Sequence, residues 1–160
     1  MSNRYGIMRK LIVLFVLILL CGCSSDKESK LETINPGLYE LKFTLNYEGQ
    51  SYIVLQKTRY SSDGSYTAIT YNNDIAVEEL EGKYKVENDR LVYFDKRRRA
   101  IRKDGTWAQW EEIKSSSVLI RNIDEGSYQY YLDAPDERAK AQYEALGISV
   151  GWKTLLRISG

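Results

Sequence analysis

Histidine, the side chain that most often moves protons near neutral pH, does not occur in this chain of 160 residues. Its absence excludes Ser-His-Asp triads and the common Cys/His metal sites. Acidic residues do occur as neighbours, at Glu78–Glu79, Glu111–Glu112 and Asp136–Glu137. Adjacent side chains on a strand point to opposite faces, so the first two pairs cannot act together on one substrate. The sequence therefore predicts a protein that is not an enzyme and that uses no cofactor or metal.

A basic run is the second feature that could do chemistry. Its six cations are Lys96, Arg97, Arg98, Arg99, Arg102 and Lys103. They could contact anionic lipid head groups, an envelope polysaccharide or an acidic partner, at about 1 kcal/mol per cation near an anionic surface. The alternative is a solvated hairpin whose like charges oppose edge-to-edge aggregation. Nearby acids favour this second interpretation because they can neutralise the run across the hairpin; they are Asp95, Asp104, Glu111 and Glu112.

Large apolar side chains are the third candidate, as the lining of a ligand cavity. The candidate residues are Tyr39, Leu41, Phe43, Trp107, Trp110, Tyr128 and Trp152. Side chains of this kind line apolar pockets and also fill small cores. Their types therefore leave a cavity and a packed interior as open alternatives.

The first residues of the chain have the layout of a secretory signal. Arg4, Arg9 and Lys10 precede an unbroken apolar stretch, residues 11–20, which is followed at once by Cys-Gly-Cys. Ten to thirteen apolar residues in a helix rise only ~15–20 Å, which is too short for a hydrocarbon core of ~30 Å. The stretch therefore predicts export of the chain rather than a permanent transmembrane anchor.

The end of this stretch, Leu20-Cys21-Gly22-Cys23, resembles the lipobox of bacterial lipoproteins. The resemblance implies cleavage between Gly22 and Cys23 and a diacylglycerol on the Cys23 thiol, because the position before the cut needs a small residue. Cys21 would leave with the signal. Ser24 in the second mature position resembles lipoproteins that are sent to the outer membrane of diderm hosts, so we expect an envelope location. A plain secretory signal with cysteines there by chance is the alternative.

Behind the signal the chain divides into a tether and one domain. Residues 24–35 are polar and lack apolar periodicity, which is typical of a flexible linker. The expected organisation is therefore a signal at 1–22, an anchor and tether at 23–35, and a domain at 36–160. After the signal, the chain has 20 basic and 22 acidic side chains, which gives a net charge of −2. This balance predicts no nucleic-acid partner.

Period-two alternation dominates the domain and predicts strands joined by short turns. The predicted strands are 39–47, 52–60, 66–71, 75–80, 83–87, 90–101, 107–113, 118–123, 128–132 and 152–158. One segment differs: residues 133–137 offer an N-cap and an early proline, and Ala139, Tyr143 and Leu146 then share a helical face before Gly147. The sequence thus predicts an all-β fold, an antiparallel barrel or sandwich, with one short helix before the last strand.

The domain resembles the lipocalin-like barrels of the calycin group. Gly37-Leu38-Tyr39 stands where these proteins carry Gly-x-Trp at the first strand, and a helix precedes a final strand that carries Arg157. The sequence departs from the family pattern at two places: Tyr39 replaces the tryptophan, and the Thr-Asp-Tyr turn has no clean copy, only Gly126-Ser127-Tyr128. The resemblance implies a barrel whose interior is packed or holds one small ligand. We expect a membrane-anchored envelope lipoprotein that binds a small apolar ligand, or alternatively one that docks an envelope protein through its surface.

Overall fold

The computed structural model describes residues 33–159. The predicted signal, Gly22 and Cys23 lie outside the described residues. Within them the chain forms nine strands and one helix. These are β1 (Gly37–Tyr47), β2 (Gln50–Tyr60), β3 (Ser65–Asn72), β4 (Ile75–Glu87), β5 (Arg90–Ala100), β6 (Glu111–Ile113), β7 (Ser116–Arg121), β8 (Ser127–Leu132), α1 (Glu137–Ala145) and β9 (Gly151–Ser159).

Eight of these strands close into an antiparallel barrel. The order is β4-β3-β2-β1-β9-β8-β7-β5, and pairing of β4 with β5 completes the ring. The short β6 pairs with the C-terminal half of β5 and stands beside the ring. The predicted antiparallel barrel with a short helix before its last strand is therefore confirmed.

One predicted turn is absent, because the chain runs straight through Glu81-Gly82 as part of β4. The pairing with β5 shifts register between Glu81 and Lys83, which is a β-bulge. A Cβ on Gly82 would lie 2.9 Å from the Phe94 carbonyl oxygen. Glycine at this position allows the β4 and β5 backbones to approach closely. The prediction of two strands, 75–80 and 83–87, is therefore wrong.

The predicted strand at 107–113 is mostly irregular as well. Only Glu111–Ile113 is a strand, and Trp107 makes a single bridge to Ile101. Each of the other predicted runs corresponds to a strand whose ends differ by a few residues. Helix α1 also forms, and Asp136 caps it by accepting a hydrogen bond from the Ala139 amide at 2.7 Å.

Two residues that precede Pro36 contact the barrel. Ile34 is only 2% exposed and belongs to the hydrophobic core. The Tyr39 hydroxyl donates to the Asn35 carbonyl at 2.9 Å. Two residues that the pattern assigned to the tether are thus part of the barrel.

Arginine 157 ties the first strand to the last at the end of the barrel where β1 begins. Its guanidinium donates to the Pro36 carbonyl at 2.6 Å and to the Glu125 carbonyl at 3.3 Å. A Cβ on Gly37 would lie 2.5 Å from Nε of Arg157, and the φ of Gly37 is 150°. A larger residue at position 37 would therefore displace this guanidinium.

Tyrosine side chains fill the same end of the interior. Tyr39 packs edge to face on Tyr60 and Tyr128, with ring centroids 5.6 and 5.3 Å apart. The Tyr60 hydroxyl lies 2.7 Å from the Tyr128 hydroxyl and 2.5 Å from the Tyr93 hydroxyl. Buried phenols need hydrogen-bond partners, and this cluster supplies them internally.

Candidate functional site

The barrel interior contains a small cavity whose walls are mostly aromatic and aliphatic, with a few polar side chains. Its volume is about 40 Å³, and its walls include Tyr60, Tyr66, Tyr130, Lys96 and Ser116. Sites for small organic ligands usually measure ~300 Å³ or more, whereas a cavity of this size holds a few waters at most. The interior is therefore essentially packed.

An inner polar cluster adjoins that cavity, and four of its six members line it. Its members are the buried residues Gln56, Thr58, Thr70, Glu78, Lys96 and Ser116. Glu78 is 1% exposed, and neither of its carboxylate oxygens has a hydrogen-bond partner. The Thr70 hydroxyl, which lies opposite Glu78 in the β3–β4 register, also has none. Lys96 donates to the Ser116 hydroxyl at 2.7 Å.

Burial changes the protonation of the two charged members of the inner polar cluster. Loss of water raises the pKa of Glu78 to about 7, against the opposing charges of Arg98 and Lys96. The same loss lowers the pKa of Lys96 to about 8, against the attraction of Glu78. Glu79, the sequence neighbour of Glu78, lies on the outer face. The adjacent acids therefore point to opposite faces, as the alternation predicted.

The basic run does not present six cations to one surface. Lys96 points into the barrel and is 5% exposed. Arg97 pairs with Glu81, Arg98 with Glu111 at 2.5 Å, and Arg99 with Glu79 at 2.5 Å. Arg102 and Lys103 remain exposed in the following turn.

Neutralisation of the run comes mainly from β4. Of the four acids that the sequence pointed to, Glu111 forms an ion pair, whereas Asp104 accepts hydrogen bonds from Thr106. Glu79 and Glu81 were not among these four acids. They lie beside the run because β4 continues through the predicted Glu81-Gly82 turn and pairs with β5. Of the six cations, Arg102 and Lys103 thus remain as candidates for contact with an anionic surface.

The three tryptophans lie on the outer face of the barrel. The Arg99 guanidinium sits 5.0 Å from the Trp107 ring and 4.8 Å from the Trp110 ring. Trp152 stacks on Arg121 at 3.9 Å. These contacts are cation–π pairs on half-exposed side chains. No signal in the sequence indicated this on β9, because Trp152 shares the more apolar face of the strand with Leu156 and Ile158, and that face is the outer one.

The other predicted lining residues divide between two places. Tyr39 and Tyr128 belong to the tyrosine packing described above. Leu41 and Phe43 line a separate space, the side cleft, whose volume is about 270 Å³. The fold thus brings two of the seven candidates together in an open pocket.

The side cleft lies next to the point where β1 and β9 stop pairing. Their register contains only Leu38↔Ser159, Tyr39↔Arg157 and Glu40↔Leu156. The cleft follows along β1 and is lined by Leu41, Lys42, Phe43, Tyr130, Leu132, Gly147, Ile148, Ser149 and Lys153. The pocket thus lies where the pairing of β1 with β9 ends, beside a ring that is otherwise closed.

The connection from α1 to β9 forms one wall of the side cleft. Gly147 has a φ of 78°, and a Cβ there would lie 2.9 Å from Nδ2 of Asn46. The backbone N–H of Asn46 donates to the Leu146 carbonyl at 2.8 Å. Ile148 is 7% exposed and contributes apolar surface. Sequence reasoning missed this wall, since an isolated Ile148 in a short loop carries no periodic signal.

Lysine 153 gives the side cleft its charge. It lies beside Tyr130 in the β8–β9 register, and its ammonium donates to the Ser149 hydroxyl at 2.7 Å. Partial burial lowers the pKa of Lys153. The cleft lining contains Lys42 as a second cation and no acidic side chain.

Comparison with known proteins finds no relative of this chain. No family model, no curated protein and no solved structure matches the chain. Among residues 33–159, no His, Cys, Asp and Glu side chains group in threes that could hold a metal ion. In that same range, none of the helical structure is long and apolar enough to cross a membrane.

Proposed function

We propose that this chain is a lipid-anchored cell-envelope protein whose barrel binds a small apolar ligand in the side cleft. The observation that carries the ligand site is a pocket of about 270 Å³ with Leu41, Phe43, Leu132 and Ile148 in its walls. This volume is close to the lower end of the ~300–1,000 Å³ found for small-molecule sites. The interior cavity of about 40 Å³ is far smaller.

The apolar walls explain why such a ligand would stay. Each methylene that leaves water contributes about 0.8 kcal/mol, and the walls come from β1, β8 and the α1–β9 connection. β1 and β8 belong to one closed barrel, and the connection is hydrogen-bonded to β1 through the Leu146 carbonyl, so the pocket is largely formed before the ligand arrives. A ligand of modest length therefore gains affinity without reorganising the core.

The anchor is proposed from Cys23, with Gly22 as the last residue of the signal. Two acyl chains hold a protein on a membrane, whereas one chain binds only marginally. Because Ile34 belongs to the core, the tether reduces to residues 24–33, which span at most ~35 Å. The barrel would then sit close to the membrane surface, at the outer membrane in a diderm host.

Fluorescence titration tests the ligand site. The fragment 33–160 is titrated with the apolar dye phenylnaphthylamine, and Ile148→Trp is compared with Ile53→Trp. Ile148 lines the side cleft, whereas Ile53 is 46% exposed on the outer face. We expect the first substitution to fill the pocket and abolish saturable dye binding, and the matched control to retain it. Equal binding by both variants would place the dye elsewhere.

Exposed apolar side chains on β9 support the second candidate function, docking of an envelope protein. Leu156 is 58% exposed and Ile158 is 48% exposed, both on the outer face. Large apolar residues that neighbour each other on a surface often mark contact sites. If the fragment binds no apolar dye but pulls down one envelope protein that Leu156→Ser releases, docking replaces ligand binding as the function.

A further inference from the structure

The side cleft combines apolar walls with positive charge, and this combination selects a class of ligand. Lys153 and Lys42 are its charged lining residues, and no acidic side chain lines it. Lys42 is exposed to water, whereas Lys153 is partly buried, so a neutral apolar ligand would leave the Lys153 ammonium without a counter-charge. A cationic ligand would be repelled by them.

The Lys153 ammonium has more N–H donors than the described residues have acceptors for it. An ammonium group carries three N–H donors. Within residues 33–159, the Ser149 hydroxyl is the one hydrogen-bond acceptor that the Lys153 ammonium reaches, and Lys153 is in none of the ion pairs of that range. Lys153 is on the inward-facing side of β9 with Leu155, which is 4% exposed. Two donors of a partly desolvated cation therefore remain for a bound group.

We infer that the side cleft takes a single-chain amphiphile with an anionic head, the head beside Lys153 and Ser149 and the chain along Leu41 and Phe43. This inference rests on the proposed ligand site and adds the chemistry of its ligand. A carboxylate or phosphate oxygen accepts charge-assisted hydrogen bonds from an ammonium, and these are about twice as strong as neutral ones. The Ser149 hydroxyl, which already accepts from Lys153, can donate its own proton to the same head.

Photo-crosslinking of the full chain in nanodiscs of neutral phospholipid tests the inference. Two probes carry the same diazirine on the same alkyl chain: decanoate, which is anionic, and decanol, which is neutral. We expect decanoate to label peptides containing residues 41–43 and 147–153 about tenfold more than decanol, since one charge-assisted hydrogen bond is worth roughly that factor. Decyl phosphate should compete with decanoate, because it presents the same kind of head.

Three variants separate charge from shape. Lys153→Met should lower decanoate labelling to the level of decanol and leave decanol labelling unchanged, whereas Lys153→Arg should retain the preference. Lys114→Met, which removes an exposed cation outside the cleft lining, should change neither probe. Equal labelling by both probes, or no effect of Lys153→Met, would overturn the anionic head and leave the ligand site standing. Failure of both probes to label the cleft would overturn the proposed ligand site itself.

Discussion

Replacing Glu78 with Gln is expected to stabilise the barrel at neutral and alkaline pH, although it removes a charged group from the core. Glu78 is 1% exposed, and both of its oxygens lack hydrogen-bond partners. The groups that face it are the Thr70 hydroxyl on β3, the cations Lys96 and Arg98 on β5, and the more distant Glu111 on β6. Burial disfavours its ionised form more than these cations favour it.

The size of the effect follows from the pKa. Its value of about 7 in the folded chain, against the usual 4.5, makes ionisation of the buried group cost about 3 kcal/mol. Between these two pH values the folded state binds more protons than the unfolded state, so stability falls as pH rises. Gln cannot ionise and escapes this loss. Part of the gain is offset because Lys96 loses its neighbouring negative charge, so we expect a net gain of about 1–3 kcal/mol.

Urea unfolding of the fragment 33–160 at about pH 4.5, 6 and 8 measures the difference between variant and parent. Exposed carboxyls with a lowered pKa, Asp63, Asp104 and Asp124, are common to both proteins and cancel in this difference. The gain should be near zero at the lowest pH and largest at the highest. A gain in stability that does not change with pH, or a loss at pH 8, would refute the conclusion that Glu78 is a buried carboxylate without a hydrogen-bond partner.

Further predictions concern the core, the tyrosine cluster and the anchor. Ile34→Ala should lower the free energy of unfolding by about 2–4 kcal/mol, and fragment 36–160 should be less stable than 33–160 in the same urea assay. Tyr60→Phe should cost about 1–2 kcal/mol because two buried hydroxyls lose their shared partner, and thermal unfolding reports it. Cys23→Ser should abolish fatty-acid labelling of the full chain, whereas Cys21→Ser should leave it intact. Persistent label in Cys23→Ser would overturn the anchor.

Strand positions were predictable because the alternation is local. Tyr39 to Tyr47 alternates cleanly, and Glu48-Gly49 closes the first hairpin with both residues at positive φ. Glu81-Gly82 has the same composition but runs through a strand. The difference is tertiary, since Gly82 is needed where the β5 backbone approaches, and nothing local distinguishes the two dipeptides.

The candidate site was predictable only in part. Leu41 and Phe43 were selected by type, and they do line the side cleft. The cleft itself depends on where β1 and β9 stop pairing, a contact between residues more than a hundred positions apart that no sequence period encodes. The inner polar cluster was overlooked although its signal was present: Gln56 and Thr58 are in phase with buried Val54 and Tyr60 along β2.

Native mass spectrometry of the full chain, purified from its host membrane in mild detergent, shows whether the side cleft holds a ligand. We expect a protein carrying one additional small molecule that dissociates on activation, and the same protein without it when Ile148→Trp fills the side cleft. The control Ile53→Trp should keep the adduct, because this side chain lies on the outer face. A full chain that carries no adduct, or an adduct that survives Ile148→Trp, would contradict ligand binding in the side cleft.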